Sequence, residues 1–182
     1  MLILGIESAT AQVGCAIGGH EGVLASTHSA RARRHAESLA PQIEFALSQA
    51  RIRIDEISVV AVDVGPGLYT GLRVGISTAM ATAFGLGVPM IGVSSLDLLA
   101  FPVRHTRRLI VATIDARRGE LFTAFYRQGP GGIQQVSEPR VVTPDDLYGE
   151  LQAASTECLV VGDGALRYPD QLEGLTKVEI AD

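Results

Sequence analysis

A single order of secondary structure occurs twice along this chain of 182 residues, and that repetition constrains the fold more than any other feature. In the first copy, three apolar runs separated by polar or glycine-rich turns predict three strands. A helix, a strand, a helix and a further strand at residues 90–93 follow them. In the second copy, three strands at residues 109–114, 120–126 and 133–142 precede a helix, a strand at residues 159–161 and a short helix. The helix is predicted to have Thr143 as its N-cap and Pro144 at its first position. Self-similarity of this kind predicts a duplicated domain.

The repeated unit, a three-stranded meander followed by helix–strand crossovers, is typical of the ribonuclease-H-like fold. Two such units form the architecture shared by actin, sugar kinases and Hsp70, so we predict a duplicated actin-like α/β fold. The boundary is expected near residues 102–108, which gives a first subdomain of residues 1–103 and a second of residues 104–182. The second copy is shortened, because its last strand is expected near residues 177–180 and no final helix follows.

Composition excludes several kinds of chemistry. Lys177 is the one lysine among 15 basic residues, and Val178 follows it, so a P-loop of the G-x-x-x-x-G-K-[ST] type cannot occur. The net charge of −5 gives no general attraction for nucleic acid. The four histidines never pair at the i, i+4 spacing, and neither H-E-x-x-H nor G-x-S-x-G is present. We therefore expect no catalytic residue and no metal site.

The cysteine pattern and the amino-terminal residues predict a cytoplasmic protein. Cys15 and Cys158 lie far apart and outside any C-x-x-C motif, which favours reduced core thiols. The first residues lack the basic region of a signal peptide. Residues 74–96 are uncharged, but three glycines and a proline divide them into a helix, a turn and a strand rather than a membrane span.

The strongest local feature is the loop G-P-G-L-Y-T-G-L-R-V-G at residues 65–75, between a valine-rich strand and a helix. Free N–H groups at a helix N-terminus bind anions, and ligands bind at the carboxyl ends of strands in open α/β folds. A tight turn whose glycines supply positive φ is an equally weighted alternative.

The first hairpin turn adds an acid and two hydroxyls, at Glu7, Ser8 and Thr10. In actin-like ATPases this turn contacts phosphate and metal, whereas the alternative is a polar turn whose side chains bond local backbone. The corresponding turn of the second half, residues 115–119, carries two arginines where phosphate would approach, which disfavours a working ATPase.

Two helices of the first half have distinct faces. The first has apolar residues at 3/4 spacing, and its regular part is expected to start near Ala40 with Pro41 in the first turn. The second carries a ridge of small residues beside a bulky ridge. The small ridge is Gly71, Gly75, Ala79 and Ala83, and the bulky ridge is Leu72, Ile76, Met80 and Phe84. Either both ridges are buried within the chain, or one packs on the sheet and the other on a partner.

A basic segment precedes the first helix. Arg31, Arg33 and Arg34 are able to bind RNA phosphate or an acidic protein, and a solvated loop is an equal alternative.

Four segments of the chain resemble the TsaB (YeaZ) family, which works in the synthesis of threonylcarbamoyladenosine in tRNA. The loop G-P-G-L-Y-T-G-L-R-V-G is similar to that family's G-P-G-S-F-T-G-L-R-I-G, and G-I-E-S-A-T is similar to its G-I-D-T-S-T. The segments R-R-H-A-E-S-L-A-P-Q-I and D-A-R-R-G-E-L-F also fit. The resemblance covers residues 1–165, with Glu7 in place of the usual aspartate. The matching loop residues are Gly65, Pro66, Gly67, Thr70, Gly71 and Arg73.

The resemblance implies a non-catalytic scaffold that dimerises with TsaD through the two helices of the first half. TsaD then carries out N6-threonylcarbamoylation of adenosine 37 in tRNAs that read ANN codons. The implied partners are TsaD, TsaE and a TsaC-type enzyme, with a homodimer when the chain is alone, tRNA contact mainly through the complex, and no membrane. No cofactor is expected for this chain itself, and ATP or ADP is expected at the interface of the TsaD-containing complex. The residues assigned to the partner interface are Leu39, Ile43, Leu47, Leu72, Gly75, Ile76, Ala79, Met80 and Ala83.

Two other functions are weighed against the scaffold. A nucleotide-binding enzyme of the actin and sugar-kinase fold would use the turn at Glu7 and the loop at Gly65. A metallopeptidase, the weaker alternative, would need histidine ligands, and TsaD itself carries two on the first helix, where this chain has His35.

Overall fold

The computed structural model describes residues 1–30, 35–154, 156–172 and 175–181, so Arg31, Arg33 and Arg34 lie outside the described residues. Contacts divide the chain into two compact units, Met1–Ser95 and Leu96–Asp182. The sequence predicts the division further along the chain, after Val103. Each unit is built around one mixed sheet.

The first unit is a five-stranded sheet covered by two helices. Its elements are β1 (Leu2–Glu7), β2 (Val13–Gly19), β3 (Gly22–Ser29), α1 (His35–Ala50), β4 (Val59–Asp63), α2 (Tyr69–Leu86) and β5 (Met90–Val93). The strand order is β3-β2-β1-β4-β5, in which the first three strands are antiparallel and β4 and β5 run parallel to β1. The predicted strands and helices of this half are all present.

Helix α1 differs from the sequence prediction at its start. It begins at His35 rather than near Ala40, and Pro41 lies inside it rather than in its first turn. Proline in a helix interior removes one backbone hydrogen bond. Pro41 is exposed, so the ring faces solvent and not the core.

The core of the first unit lies on one face of its sheet. Alternate strand residues such as Leu4 and Val62 meet the inner faces of α1 and α2, which contribute Leu39 and Ala79 among others. Because successive side chains of a strand point to opposite faces, Glu7 and Asp63 belong to the other face.

The second unit repeats the strand order of the first. Its elements are α3 (Ser95–Ala100), β6 (Leu109–Arg117), β7 (Glu120–Gly129), β8 (Gly132–Gln135), β9 (Arg140–Val142), α4 (Pro144–Ala153), β10 (Cys158–Val161), α5 (Asp163–Arg167), α6 (Pro169–Leu172) and β11 (Val178–Ile180). The sheet order is β11-β10-β6-β7-β8, with β9 also paired to β7. Read from β8, this is the order of the first sheet, so the predicted duplicated actin-like architecture is confirmed.

Helix α3 accounts for the different position of the division. Leu96 and Ala100 are fully buried in a core that they share with strands β6, β7 and β10. A division after Val103 would separate these residues from their own core.

Two local predictions in the second unit had different outcomes. Thr143 caps α4, since its hydroxyl accepts the Asp146 N–H at 3.1 Å, and Pro144 takes the first helical position as predicted. The single strand predicted over residues 133–142 is instead two strands, β8 and β9. Between them Ser137 Oγ accepts the Phe125 N–H at 2.9 Å, and Pro139 has no N–H to donate to a ladder.

Within the described residues, no helix is long and apolar enough to cross a membrane. The uncharged stretch at residues 74–96 forms most of α2, a turn, β5 and the beginning of α3.

Candidate functional site

The loop between β4 and α2 contains one glycine that needs its backbone conformation. The Gly65–Pro66 peptide is cis, and Gly65 has a φ of 97°, a region that residues with a Cβ rarely occupy. The positive-φ alternative from the sequence therefore holds for Gly65. It does not account for the other glycines of the motif.

Three further glycines make room for the first hairpin turn. A Cβ at Gly67 would overlap the carbonyl oxygen of Ala9, and a Cβ at Gly71 would overlap the carbonyl oxygen of Ser8. A Cβ at Gly75 would overlap the Ser8 hydroxyl. Close packing between α2 and the β1–β2 turn thus explains why these three positions are glycine.

Hydrogen bonds fix the loop to the same turn. The Leu68 N–H donates to the Ala9 carbonyl at 2.6 Å. The Ser8 hydroxyl, which is buried, donates to the Gly71 carbonyl at 2.9 Å. The Leu68 N–H, which an anion site would offer to a ligand, is therefore already hydrogen-bonded within the protein.

Two carboxylates stand at the ends of neighbouring strands beneath this loop. Ile6 of β1 pairs with Val62 of β4, so the next residues, Glu7 and Asp63, lie side by side at the ends of these two strands. Glu7 Oε1 accepts the N–H groups of Ala9 at 2.8 Å and Thr10 at 3.2 Å.

Asp63 organises the other side of the loop. Its Oδ1 accepts the Gly65 N–H at 2.7 Å and the Ser95 hydroxyl at 2.6 Å, and the Ser95 N–H donates to the Gly65 carbonyl at 2.9 Å. Each carboxylate therefore accepts backbone N–H groups of the turn that follows its own strand, and Asp63 also accepts the Ser95 hydroxyl.

Burial shifts both acids in the same direction. Desolvation raises the pKa of Asp63 above its ordinary value, against the hydrogen bonds from Ser95 and Gly65. Desolvation also raises the pKa of Glu7, and the nearby charge of Asp63 raises it further, against the hydrogen bonds from Thr10 and Ala9. In the described parts of the chain, no group of three or more His, Cys, Asp or Glu side chains is placed to hold a metal ion.

Helix α2 buries its small ridge within its own unit. Gly71, Gly75, Ala79 and Ala83 are all buried against the sheet. The sequence prediction that assigned Gly75, Ala79 and Ala83 to a partner interface is therefore corrected, because their space is already filled by this chain.

The predicted interface residues of α1 need the same correction in part. Leu39 and Ile43 are buried in the core of the first unit, while Leu47 is partly buried and packs against that core. On α2, Leu72 and Ile76 are half-buried and Met80 is exposed. Of the assigned set, Met80 alone is largely available to a partner.

The outer surface of α2 is apolar at both ends. Tyr69 is 74% exposed, Met80 is 56% exposed and Phe84 is 91% exposed. The predicted bulky ridge includes Phe84, but the predicted partner interface does not. Its position four residues after Met80 is the sequence signal that would have included it.

A groove of about 400 Å³ borders the first half of α2. It is lined by Ala36, Thr70, Arg73, Val74, Ser77 and Thr78. The Arg73 guanidinium lies 5.6 Å from the centre of the Tyr69 ring, within the range of a cation–π contact.

The second unit has a different arrangement at its equivalent turn. The buried Asp115 carboxylate pairs through Oδ2 with Arg117 at 3.0 Å and Arg167 at 3.1 Å. Arg117 and Arg118 have φ values of 68° and 56°, and Asp163 Oδ1 accepts the Asp115 N–H at 3.1 Å. Ion pairs therefore stabilise this turn. Close glycine packing occurs in this unit too, since a Cβ at Gly162 would overlap the Thr113 carbonyl oxygen.

Comparison with known proteins assigns the chain to a family. The family model described as TsaD, tRNA N6-adenosine threonylcarbamoyltransferase, matches residues 23–168. The chain is 32% identical over 173 residues to the tRNA threonylcarbamoyladenosine biosynthesis protein TsaB of Escherichia coli, a match that covers 93% of this chain and 74% of that protein. The chain belongs to the TsaB (YeaZ) family. That family is related to TsaD, as the match to the TsaD model indicates.

Two further proteins are similar to the chain. An uncharacterized protein of Mycobacterium leprae is 40% identical over 150 residues, which cover 80% of this chain and 40% of that protein's length. YeaZ of Pseudomonas aeruginosa has the same fold, with a TM-score of 0.84 and 23% identity over 98% of this chain and 84% of that chain.

The loop motif of this TsaB-family protein has an internal part and an external part. Gly67 and Gly71 face the β1–β2 turn of the same unit, where a Cβ would overlap backbone atoms, and Gly65 needs its positive φ. Thr70 and Arg73 are exposed beside the groove. Within the T-G-L-R tail, Thr70 and Arg73 are thus exposed at the surface, while Gly71 between them packs closely on Ser8.

Proposed function

We propose that this TsaB-family protein is a non-catalytic scaffold that binds TsaD and activates it for N6-threonylcarbamoylation of adenosine 37 in tRNAs that read ANN codons. The observation that carries the proposal is the outer surface of α2, where Phe84 is 91% exposed. An isolated exposed aromatic needs no explanation, but this one continues a helical stripe with Met80 and Tyr69.

The spacing of that stripe suits a second helix. Tyr69, Arg73, Ile76, Met80 and Phe84 follow one another at intervals of four, three, four and four residues. Spacings of three and four place side chains along one side of a helix, as in the seam of a helix pair. Because the small ridge already holds α2 on its sheet, a partner helix would meet the stripe without disturbing the unit.

The geometry of the loop supports a scaffold over a nucleotide-dependent enzyme. Glu7 and Asp63 each accept two hydrogen bonds from the protein, and the Leu68 N–H is bonded to Ala9. The metallopeptidase alternative would need a set of histidine ligands, and the four histidines of the chain never pair at the i, i+4 spacing.

The proposal extends to the other components of the pathway. The scaffold works with TsaE and a TsaC-type enzyme, meets tRNA mainly through the complex, and forms a homodimer when alone. ATP or ADP binds at the interface of the TsaD-containing complex, and this chain requires no cofactor of its own.

The test compares Phe84→Ser with Val23→Ser, which removes another highly exposed apolar side chain, from β3. Val23 is 71% exposed and lies outside α2. Calorimetric titration with TsaD of the same organism should show Phe84→Ser weakening binding at least about thirtyfold, the scale of a buried aromatic anchor, while Val23→Ser leaves it unchanged.

Reconstituted modification provides the functional half of this test. TsaD, TsaE and the TsaC-type enzyme should modify a tRNA transcript at adenosine 37 when this chain is present, and Phe84→Ser should reduce the rate in parallel with binding. Equal modification without the chain would overturn the scaffold proposal. Heat of binding from Mg-ATP added to the chain alone would favour the nucleotide-dependent enzyme instead.

A further inference from the structure

A basic surface lies in the second unit, in the connection that leads into β6. Arg104, His105, Arg107 and Arg108 fall within five residues, and no acidic residue occurs between residues 98 and 108. This concentration stands out in a chain whose net charge is −5. We define the basic surface as these four residues together with Phe101 and Arg127.

Arg104 is held against an aromatic ring. Its guanidinium carbon lies 4.1 Å from the centre of the Phe101 ring, and its Nη1 donates to the Phe101 carbonyl at 3.0 Å. Phe101 is itself 48% exposed. A ring stacked with a guanidinium in this way gives a flat platform with a fixed positive charge.

Arg127 belongs to the same end of the sheet. It follows Tyr126, which pairs with Ile110, so it lies across from the first residue of β6. Its charge reaches Cys158, the β10 partner of Leu109, where it lowers the thiol pKa against the larger effect of burial. Arg107 lies in the connection just before β6, and Arg127 leaves β7 on the face that carries Leu109 and Cys158, so both charges border the amino-terminal end of β6.

The charges on this surface are only partly neutralised. Arg108 pairs with Glu157 and Glu179, which are the acids in contact with it. Within the described part of the chain, Arg107 and Arg127 form no ion pair, and both are exposed. Four arginines against two glutamates leave a local positive excess that the whole-chain charge conceals.

We propose that this basic surface binds the phosphate backbone of RNA, and that in the proposed function the RNA is the tRNA substrate. Exposed arginines contact phosphates, while an exposed aromatic beside a guanidinium accepts an unpaired base by stacking. An acidic protein would use the charges but would have no need of the Phe101 platform. The inference rests on the proposed function for the identity of the RNA, not for the chemistry of the surface.

The experiment measures tRNA binding as a function of salt. The double variant Arg107→Gln/Arg127→Gln removes two exposed charges, and Arg51→Gln/Arg118→Gln removes two exposed charges outside this surface as a matched control. Fluorescence anisotropy with a labelled transcript should follow log K against log salt for the chain alone and for its complex with TsaD. The first variant should reduce the steepness of the slope by about 1.4 to 1.8 and weaken binding roughly tenfold, since each lost phosphate contact removes about 0.7 to 0.9 from the slope.

The outcomes separate this inference from the proposed function. Equal salt slopes for the two double variants would overturn the RNA surface, while complex formation with TsaD on a sizing column would leave the scaffold standing. If wild-type chain fails to bind TsaD, the scaffold fails, and the salt slopes of the chain alone still decide the RNA surface. Competition by polyglutamate as strong as that by RNA at equal charge would assign the surface to an acidic protein and reject the proposal.

Discussion

Gly71 illustrates how a motif residue is fixed by what lies opposite it. The sequence identifies the glycine-rich loop and suggests two alternative reasons for its glycines, anion binding and positive φ. The structure gives a third reason for most of the loop, because the carbonyl of Ser8 occupies the place of a Gly71 side chain. Ser8 is 63 residues away in sequence. A single sequence carries no signal for a contact at that separation, so this reason could not be predicted.

Gly71→Ala and Gly85→Ala should change stability in opposite directions. Gly71 meets backbone that cannot easily move, so its variant should destabilise the chain by about 1 to 3 kcal/mol. Gly85 lies in the same helix with nothing within 4 Å of its added Cβ, so its variant should stabilise the chain by about 0.5 to 1 kcal/mol. Urea unfolding of both variants measures the two free energies. A Gly71→Ala protein as stable as wild type would show that the β1–β2 turn can move aside and that position 71 does not require glycine.

Local chemistry was predictable at residue scale where its partners are close in sequence. Thr143 and Asp146 are three residues apart, so the cap of α4 could be predicted from the spacing. Asp115 and Arg167 come from separate elements of the second unit, and their ion pair depends on how β6 and α5 meet. The same holds for Asp63 and Ser95, which are 32 residues apart.

Helix α2 shows what periodicity can and cannot predict for an element. The four-residue repeats correctly separated a small ridge from a bulky ridge. They did not indicate which ridge the sheet covers, because both ridges are apolar and either could face inward. Contact with the β1–β2 turn decides this, since the turn leaves no room for a Cβ at Gly71 or Gly75.

Neighbouring positions of α2 should therefore respond differently to the same charge. Ala79 is fully buried and Met80 is 56% exposed. Ala79→Glu would bury a carboxylate with no partner, so it should destabilise the fold by several kcal/mol. Met80→Glu should leave the unfolding free energy within about 0.5 kcal/mol of wild type and weaken binding to TsaD.

Thermal unfolding and calorimetric titration of the two variants check this pair. Binding lost in Ala79→Glu with an unchanged melting temperature would mean that the small ridge, and not the outer stripe, meets the partner. Tight binding by Met80→Glu would remove that position from the interface.

At the scale of the whole molecule, duplication was predictable because each copy carries its own meander and crossovers. The position of the division was harder to predict, since it depends on which core receives α3. Leu96 and Ala100 are ordinary apolar residues that either copy could bury. The long strand predicted over residues 133–142 failed for a similar reason, because β8 and β9 both pair with β7 at different registers.

Under the proposed function, the apolar stripe on α2 would determine how the molecule assembles. If the homodimer and the TsaD complex both use Tyr69, Met80 and Phe84, the two assemblies exclude each other, since one helix surface accommodates one partner. Wild-type chain alone should sediment as a dimer whose fraction falls on dilution, and Phe84→Ser should sediment as a monomer over the same concentration range. Added TsaD should convert the wild-type dimer into a complex with one copy of each chain at that surface, with the apparent affinity reduced by the cost of separating the dimer. Sedimentation velocity with labelled chain distinguishes the cases, because a homodimer that persists at saturating TsaD would require a second surface, and the α2 stripe would then serve only one of the two assemblies.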